Sequence, residues 1–272
     1  MTKESLNYEG INVSLKGSKK TEDTLAVEAA LQININNEPY TVVMRTPGQD
    51  EELIRGLLYA EDIYKGILNN LDCKIIEESE NGFSVINVTI STENLGKGYL
   101  NKRTLLSVSS CGICGKQKIE DLSFNGQALK NNQLIDLEEI QILFSTLKEK
   151  QNLFLKTGGT HSAAVFDQNN QFLTLKEDIG RHNAVDKVVG KLLNQHALKK
   201  AHILWVSGRV SYEILSKAFI ARIPCVVAVS ACSSLAVDYA KELGICLIGF
   251  SRKNKATVYA NPHYVNELSN IR

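Results

Sequence analysis

The sequence predicts an α/β protein: a three-layer C-terminal domain on a parallel sheet, behind a smaller N-terminal α+β domain. Three observations predict it. From residue 203 to 250 short, fully apolar strands alternate with helices, and repeated βα units of that kind imply a parallel sheet covered on both faces. The first hundred residues carry instead a period of two, interrupted by one helical stretch. A chain of 272 residues, 43% of them hydrophobic, is long enough for one large domain or two smaller ones, each with its own core. The expected division is 1–105 for the N-terminal unit, 106–135 for a crossover bearing a C-x-x-C loop, and 136–272 for the α/β domain.

Residues 1–24 are polar, glycine-containing and aperiodic, and read as an adaptable arm of doubtful order. Leu31, Ile33 and Ile35 then alternate with polar residues, and Tyr40–Met44 resumes the pattern after Asn36-Asn37-Glu38-Pro39, which makes a hairpin. After the turn Arg45-Thr46-Pro47-Gly48, Gln49 or Asp50 caps a helix with Leu53, Ile54, Leu57 and Leu58 at helical spacing. Cys73–Ile76 and Phe83–Ile90 form a further strand pair around Glu80-Asn81-Gly82, and the periodicity fades between 92 and 135.

Glu138–Lys150 reads as an amphipathic helix with Ile142, Leu143 and Leu147 inward and Asp136 as its cap. Ala163–Phe166 and Phe172–Leu175 pair around Asp167-Gln168-Asn169-Asn170, and a helix covers about Asn183 to Leu193. Then come strand Ile203–Val206, helix Tyr212–Ile220, strand Cys225–Val229, helix Leu235–Leu243 and strand Ile245–Phe250; the tail from Thr257 to Tyr264 offers one more strand.

Lys and Arg number 31 against 30 Asp and Glu, so no overall basic field argues for nucleic acid or an anionic membrane. There is no run of 18 apolar residues, and Met1–Asn7 lacks the regions of a signal peptide, which makes the cytosol the expected compartment. Six cysteines are too sparse for a disulfide scaffold; Cys73, Cys225, Cys232 and Cys246 are isolated and read as small buried hydrophobes.

Cys111 and Cys114 are the exception. Glycines at 112 and 115 and serines at 107, 109 and 110 deny the segment a regular helix, and Lys102, Arg103, Lys116 and Lys118 favour thiolate. Three chemistries use this spacing. A zinc site lacks its second pair of ligands. A redox dithiol should open a helix after a strand, whereas a serine run precedes this one. Sulfur transfer, in which one thiolate carries a sulfane sulfur as a persulfide, suits a loop best.

The other polar motifs follow strands. Ser207-Gly208-Arg209, Ser230–Ser234 and Ser251–Lys255 each come after a strand of the βα series, and Arg252 is expected immediately beyond a buried strand. Thr157–His161 and Asp178–Asn183 add two further glycine-bearing turns. Open α/β sheets bind ligands beyond the carboxyl ends of their strands, so these turns on one edge would form an anion-binding rim. Singly, each is also ordinary turn chemistry. His161 and His182 lack the spacing of metal ligands and read as hydrogen-bonding residues; no metal is expected.

Met44–Gly48 with Asp50–Leu53, Ser109–Gly115, Thr157–His161, Glu177–Lys187, Ser207–Arg209, Val229–Ala236 and Gly249–Arg252 together resemble the FdhD family of formate dehydrogenase accessory sulfur carriers. The long 177–187 block is the most specific of these. The resemblance implies a cytosolic homodimer with a cytidine-deaminase-like C-terminal domain. Its substrate would be the molybdenum bis(molybdopterin guanine dinucleotide) cofactor, and its partners a cysteine desulfurase as sulfur source and the formate dehydrogenase catalytic subunit as client. Cys111 would carry the persulfide, with Cys114 beside it. Phe250, Ser251, Arg252, Lys253, Asn254 and Lys255 would bind the cofactor, joined by Ser207, Gly208, Arg209, His161, Arg181 and His182. Cys232 stands where the family pattern has proline, and Lys255 where it has arginine. The zinc signature of deaminases is absent, since Pro224-Cys225 has no second cysteine three residues on.

Overall fold

A six-stranded mixed sheet organises the computed structural model, which describes residues 3–66, 71–100, 127–130, 133–252 and 255–268. Cys111, Cys114 and the rest of their loop, and Lys253 and Asn254, lie outside the described residues. The N-terminal half contains β1 (Ser5–Ser14), β2 (Gly17–Ala26), β3 (Ala29–Ile35), β4 (Glu38–Arg45), α1 (Asp50–Ala60), β5 (Asp72–Glu78) and β6 (Ser84–Thr89). The remainder contains α2 (Leu137–Lys150), α3 (Asn152–Thr157), β7 (His161–Phe166), β8 (Phe172–Asp178), α4 (Arg181–Asn194), β9 (Ile203–Val206), α5 (Tyr212–Ile220), β10 (Cys225–Ala228), α6 (Ser234–Leu243), β11 (Cys246–Arg252) and β12 (Lys255–Ala260).

The large sheet has the order β12-β11-β10-β9-β7-β8. β9, β10 and β11 are parallel, as their apolar runs predict, but β7, β8 and β12 join antiparallel, so the sheet is mixed rather than wholly parallel. Both faces are covered. Ala163, Val165, Leu204, Val206, Val226 and Leu247 pack under α4, α5 and α6, whereas Ala164, Phe166, Trp205, Val227 and Ile248 pack with Ile140 and Leu147 of α2. Asp136 caps α2 as expected, its Oδ1 accepting the Glu138 and Glu139 N–H groups at 2.8 and 3.1 Å. Ile142, expected inward, is 66% exposed; Phe144 takes the inner face instead, against Trp205.

A four-stranded sheet, β4-β3-β6-β5, makes the smaller unit. Leu31, Ile33 and Ile35 point to one face and meet Leu53, Ile54, Leu57 and Leu58 of α1, the set that the helical spacing selects. The expected N-cap hydrogen bond is not made: Gln49 adopts φ 59° without one, and Asp50 is drawn to Arg45, which is 1% exposed and reaches it at 2.8 Å. Residues 5–26 are not an irregular arm. β1 and β2 pair in register from Ser5↔Ala26 to Ser14↔Gly17 as a ribbon, exposed over most of its length.

The two units meet where α1 crosses α4. A Cβ on Gly56 would lie 1.9 Å from the Asp186 carbonyl oxygen, and one on Gly190 would lie 1.8 Å from that of Glu52, so the helix backbones touch. Beside the crossing, Lys187 Nζ pairs with Asp178 Oδ2 at 2.7 Å and donates to Thr46 O at 3.1 Å. Asp178 also accepts from the Thr46 N–H at 3.2 Å, and Asn183 Nδ2 donates to Met44 O at 2.8 Å.

Candidate functional site

Parallel β9, β10 and β11 put their carboxyl ends on one edge of the sheet. β7, antiparallel to β9, begins at that edge, and β8, antiparallel to β7, ends there. The turns at 157–161, 178–183, 207–209 and 230–234 and the β11–β12 tip therefore converge. They are joined beyond the strand ends: the Val210 N–H donates to Ala231 O at 3.0 Å, the Ser233 N–H to Val210 O at 2.9 Å and the Phe250 N–H to Ser230 O at 3.0 Å.

At the β7–β9 end, His161, Arg181 and Gly208 are neighbours. A Cβ on Gly208 would lie 3.2 Å from His161 Nδ1 and 3.5 Å from Arg181 Cβ, so a larger residue there would press on the imidazole. Burial lowers the His161 pKa, the Arg181 and Arg209 cations add to the effect, and Asp178 opposes them. The ring is thus held neutral at pH 7, able to donate and accept. Arg181 opens α4, and its Nε is buried with no hydrogen-bond partner. A buried N–H without an acceptor at the start of a 14-residue helix favours an anion. Arg209 is exposed beside it.

The other expected residues fall differently. Ser207 is occupied by the sheet, its Oγ accepting the Ser162 N–H at 2.9 Å. His182 is 5% exposed and faces α5, with Nε2 3.4 Å from Ser211 Oγ and 3.9 Å from Glu213 Oε2. The 250–255 stretch runs past the expected strand end at Phe250: β11 continues through Arg252, which pairs with Lys255 of β12 as a hairpin. Both of those side chains are exposed, Ser251 is 1% exposed, and Phe250 adopts φ 50°. Arg252 is therefore a surface cation. β9 and β11 are two strand spacings apart, about 10 Å.

Three cysteines have defined surroundings near the sheet. Cys232 is half-buried, its thiol pushed up to about 11 by burial. It sits against Gly249, where a Cβ would come within 3.0 Å of its Sγ. Cys225 and Cys246 look isolated in sequence but are register partners on β10 and β11; burial and then the Cys246 hydrogen bond push the Cys225 thiol well up.

Glu177 and Asp178 are positioning residues to which sequence reading gave no chemistry. Glu177 accepts the Leu153 and Phe154 N–H groups at 2.9 and 2.7 Å and the Thr160 hydroxyl at 3.2 Å, which fixes α3 and the turn before His161. Asp178 accepts the Gly180 N–H at 2.8 Å and Asn183 Nδ2 at 2.9 Å, which shapes the turn that presents Arg181. The legible signal was two charged pairs, Glu177-Asp178 at the end of a strand and Asp186-Lys187 within the apolar stretch Ala184–Val189 of a helix.

A six-stranded mixed sheet with a cation-bearing edge, packed against a second, four-stranded sheet, defines a mixed α/β protein. Residues 26–266 match the model of the FdhD/NarQ family. The chain is 40% identical over 249 residues to the sulfur carrier protein FdhD of Picrophilus torridus, covering 89% of this chain and 92% of that protein. It is 38% identical over 275 residues to the protein of that name from Thermoplasma acidophilum, covering 94% of this chain and 96% of that one. The chain belongs to the FdhD/NarQ family. A crystal structure from Desulfotalea psychrophila, named as that of a formate dehydrogenase accessory protein, superposes with a TM-score of 0.76 at 22% identity, covering 97% of this chain and 100% of that one, and shows the same fold. Among the described residues no helix is long and apolar enough to cross a membrane.

Proposed function

We propose that this protein is a cytosolic sulfur carrier of formate dehydrogenase maturation, which takes sulfur from a cysteine desulfurase and delivers it to the molybdenum bis(molybdopterin guanine dinucleotide) cofactor. In the first step the Cys111 thiolate attacks the terminal sulfur of the desulfurase persulfide. A new S–S bond forms on Cys111, the old one breaks, and the desulfurase cysteine leaves as a thiolate, with no net oxidation. Cys114 stands beside it as the second thiol. The sulfur carrier names of the curated relatives support this reading. On the functional division proposed, the unit before residue 105 and the domain after residue 136 flank the loop, and the deaminase-like three-layer domain holds the cofactor.

The observation that carries the binding side of the reading is Arg181. Its buried, acceptorless Nε, next to neutral His161 and exposed Arg209, supports a phosphate of the guanine dinucleotide at the β7–β9 end of the rim. Phe250–Lys255 would flank the second half of the substrate, with Arg252 and Lys255 as exposed cations.

Incubation with desulfurase and cysteine, followed by peptide mass mapping, tests the carrier: one added sulfur on Cys111 is expected. A loss of two hydrogens across Cys111 and Cys114 would mean a redox dithiol instead. Cys111→Ala should abolish formate dehydrogenase activation while GDP binding persists; full activation by that variant would leave a cofactor-holding chaperone. GDP affinity should fall about tenfold or more in Arg181→Ala, since a charge-assisted contact is worth about 1.5–3 kcal/mol. An unchanged affinity would move the phosphate elsewhere.

A further inference from the structure

The β1–β2 ribbon has no visible reason to exist in a single chain. A two-stranded ribbon in water is marginal by itself, yet this one runs for ten residues in each strand, about 30 Å. Its far half is exposed: Ile11 is 69% exposed, Val13 75% and Leu15 fully so. The same tip bears Lys16, Lys19 and Lys20, all exposed. It is an apolar end ringed with positive charge.

The complement lies on the uncovered face of the four-stranded sheet. A groove of about 530 Å³ is lined there by Ala30, Val42, Val85 and Phe83, with Glu77 and Glu78 along its β5 side. Phe83 is 49% exposed. Glu80, also exposed, continues the acidic rim at the β5–β6 turn. Apolar floor and acidic rim match apolar tip and basic rim.

A chain cannot make this match with itself. The ribbon is rooted beside the groove: the Val27 N–H donates to Glu4 O at 2.9 Å, and only Val27 and Glu28 separate β2 from β3, whose Ala30 lines the groove. The tip is a ribbon's length away from that root. Two copies related by a two-fold axis can each insert a tip into the other's groove. The two reciprocal contacts then add across a single two-fold interface.

We propose that the ribbon tip of one copy docks in the sheet groove of a second copy and that the exchange is reciprocal. This gives the homodimer of the proposed function its surfaces. Sedimentation reads it, whereas sulfur transfer is read by mass mapping on Cys111, so either can fail without the other.

The experiment is a charge swap followed by analytical ultracentrifugation of the full-length chain at micromolar concentration. One variant carries Lys16→Glu, Lys19→Glu and Lys20→Glu; the other carries Glu77→Lys, Glu78→Lys and Glu80→Lys. Alone, each sets like charges against each other at both contacts and should be monomeric, with dimer dissociation at least tenfold easier. Mixed, an acidic tip meets a basic groove and a native tip meets a native groove, so the heterodimer should form. Ile11→Asp with Val13→Asp, at exposed positions of the ribbon, should also give a folded monomer. A wild-type chain that is monomeric throughout, charge variants that remain dimers, or a mixture that recovers no heterodimer would each overturn the proposal. In those cases the groove serves a different protein or the dimer uses another face.

Discussion

Replacing Lys187 by methionine should cost the fold about 3 kcal/mol. Lys187 is 1% exposed and Asp178 0%, and they pair at 2.7 Å where the small sheet's Thr46 meets α4. Methionine keeps the apolar stem, so what is lost is electrostatic: the carboxylate loses its counterion, and Thr46 O, 3.1 Å from Nζ, loses its donor. Breaking a buried pair from one side costs about 3–5 kcal/mol. Asp178 keeps its bonds from the Gly180 N–H at 2.8 Å, Asn183 at 2.9 Å and the Thr46 N–H at 3.2 Å, which places the cost at the low end. Urea unfolding followed by emission of Trp205, the chain's single tryptophan and 3% exposed, measures it. Adding Asp178→Asn removes the orphaned charge, so the double variant should be more stable than the sum of the single effects implies, by about 1 kcal/mol or more. A loss below about 1 kcal/mol in Lys187→Met, or strict additivity in the double variant, would refute the reasoning.

Gly190→Val should be worse than an ordinary surface change, by more than about 3 kcal/mol, because its Cβ position lies 1.8 Å from the Glu52 carbonyl and no side-chain shift can clear it; calorimetric unfolding reads the loss. Asp136→Ala removes the two-bond cap of α2 and should cost about 1 kcal/mol in the same assay. Arg181→Gln should raise the His161 pKa, since a cation that disfavours protonation is gone; proton NMR titration of the ring would show it, and a fall would contradict the assigned cause. His161 and His202 are both lowered by burial, so the unfolded chain binds protons first and stability should decline as pH drops below the ordinary histidine value of about 6.5. Cys232, raised to about 11, should alkylate slowly at pH 8; its contribution to stability, present below the unfolded thiol's range, should fade as pH rises toward 11.

What was legible in the sequence was whatever burial writes locally. The apolar runs of β9, β10 and β11 reflect cover on both faces, and once those strands are parallel the turns after them share one edge; the turns beside β7 and β8 join it only because those strands run antiparallel. The ribbon was not legible: with both faces in water, β1 and β2 need no alternation, so their polar composition looked irregular. The apolar run stops at Phe250, so the sequence puts Arg252 just beyond the strand, whereas β11 continues through it as an exposed hairpin that burial does not mark. Ile142 fits the helical period but lies just outside the stripe that Ile140, Phe144 and Leu147 occupy. The Thr46–Asp178–Lys187 network joins residues more than a hundred positions apart. Its members were visible as a motif, but their partnership was not, since no local pattern encodes a long-range hydrogen bond.

The contact between α1 and α4 also limits how this protein can respond to a ligand. Helices that slide past one another in a shear motion do so by swapping rotamers at a layer of side-chain tips. At Gly56 and Gly190 that layer is missing, and main chain rests on main chain. A sliding adjustment between the four-stranded and six-stranded sheets is therefore blocked at this crossing. A ligand at the proposed rim would then be accommodated by its turns and the β11–β12 hairpin rather than by sliding of α1 along α4.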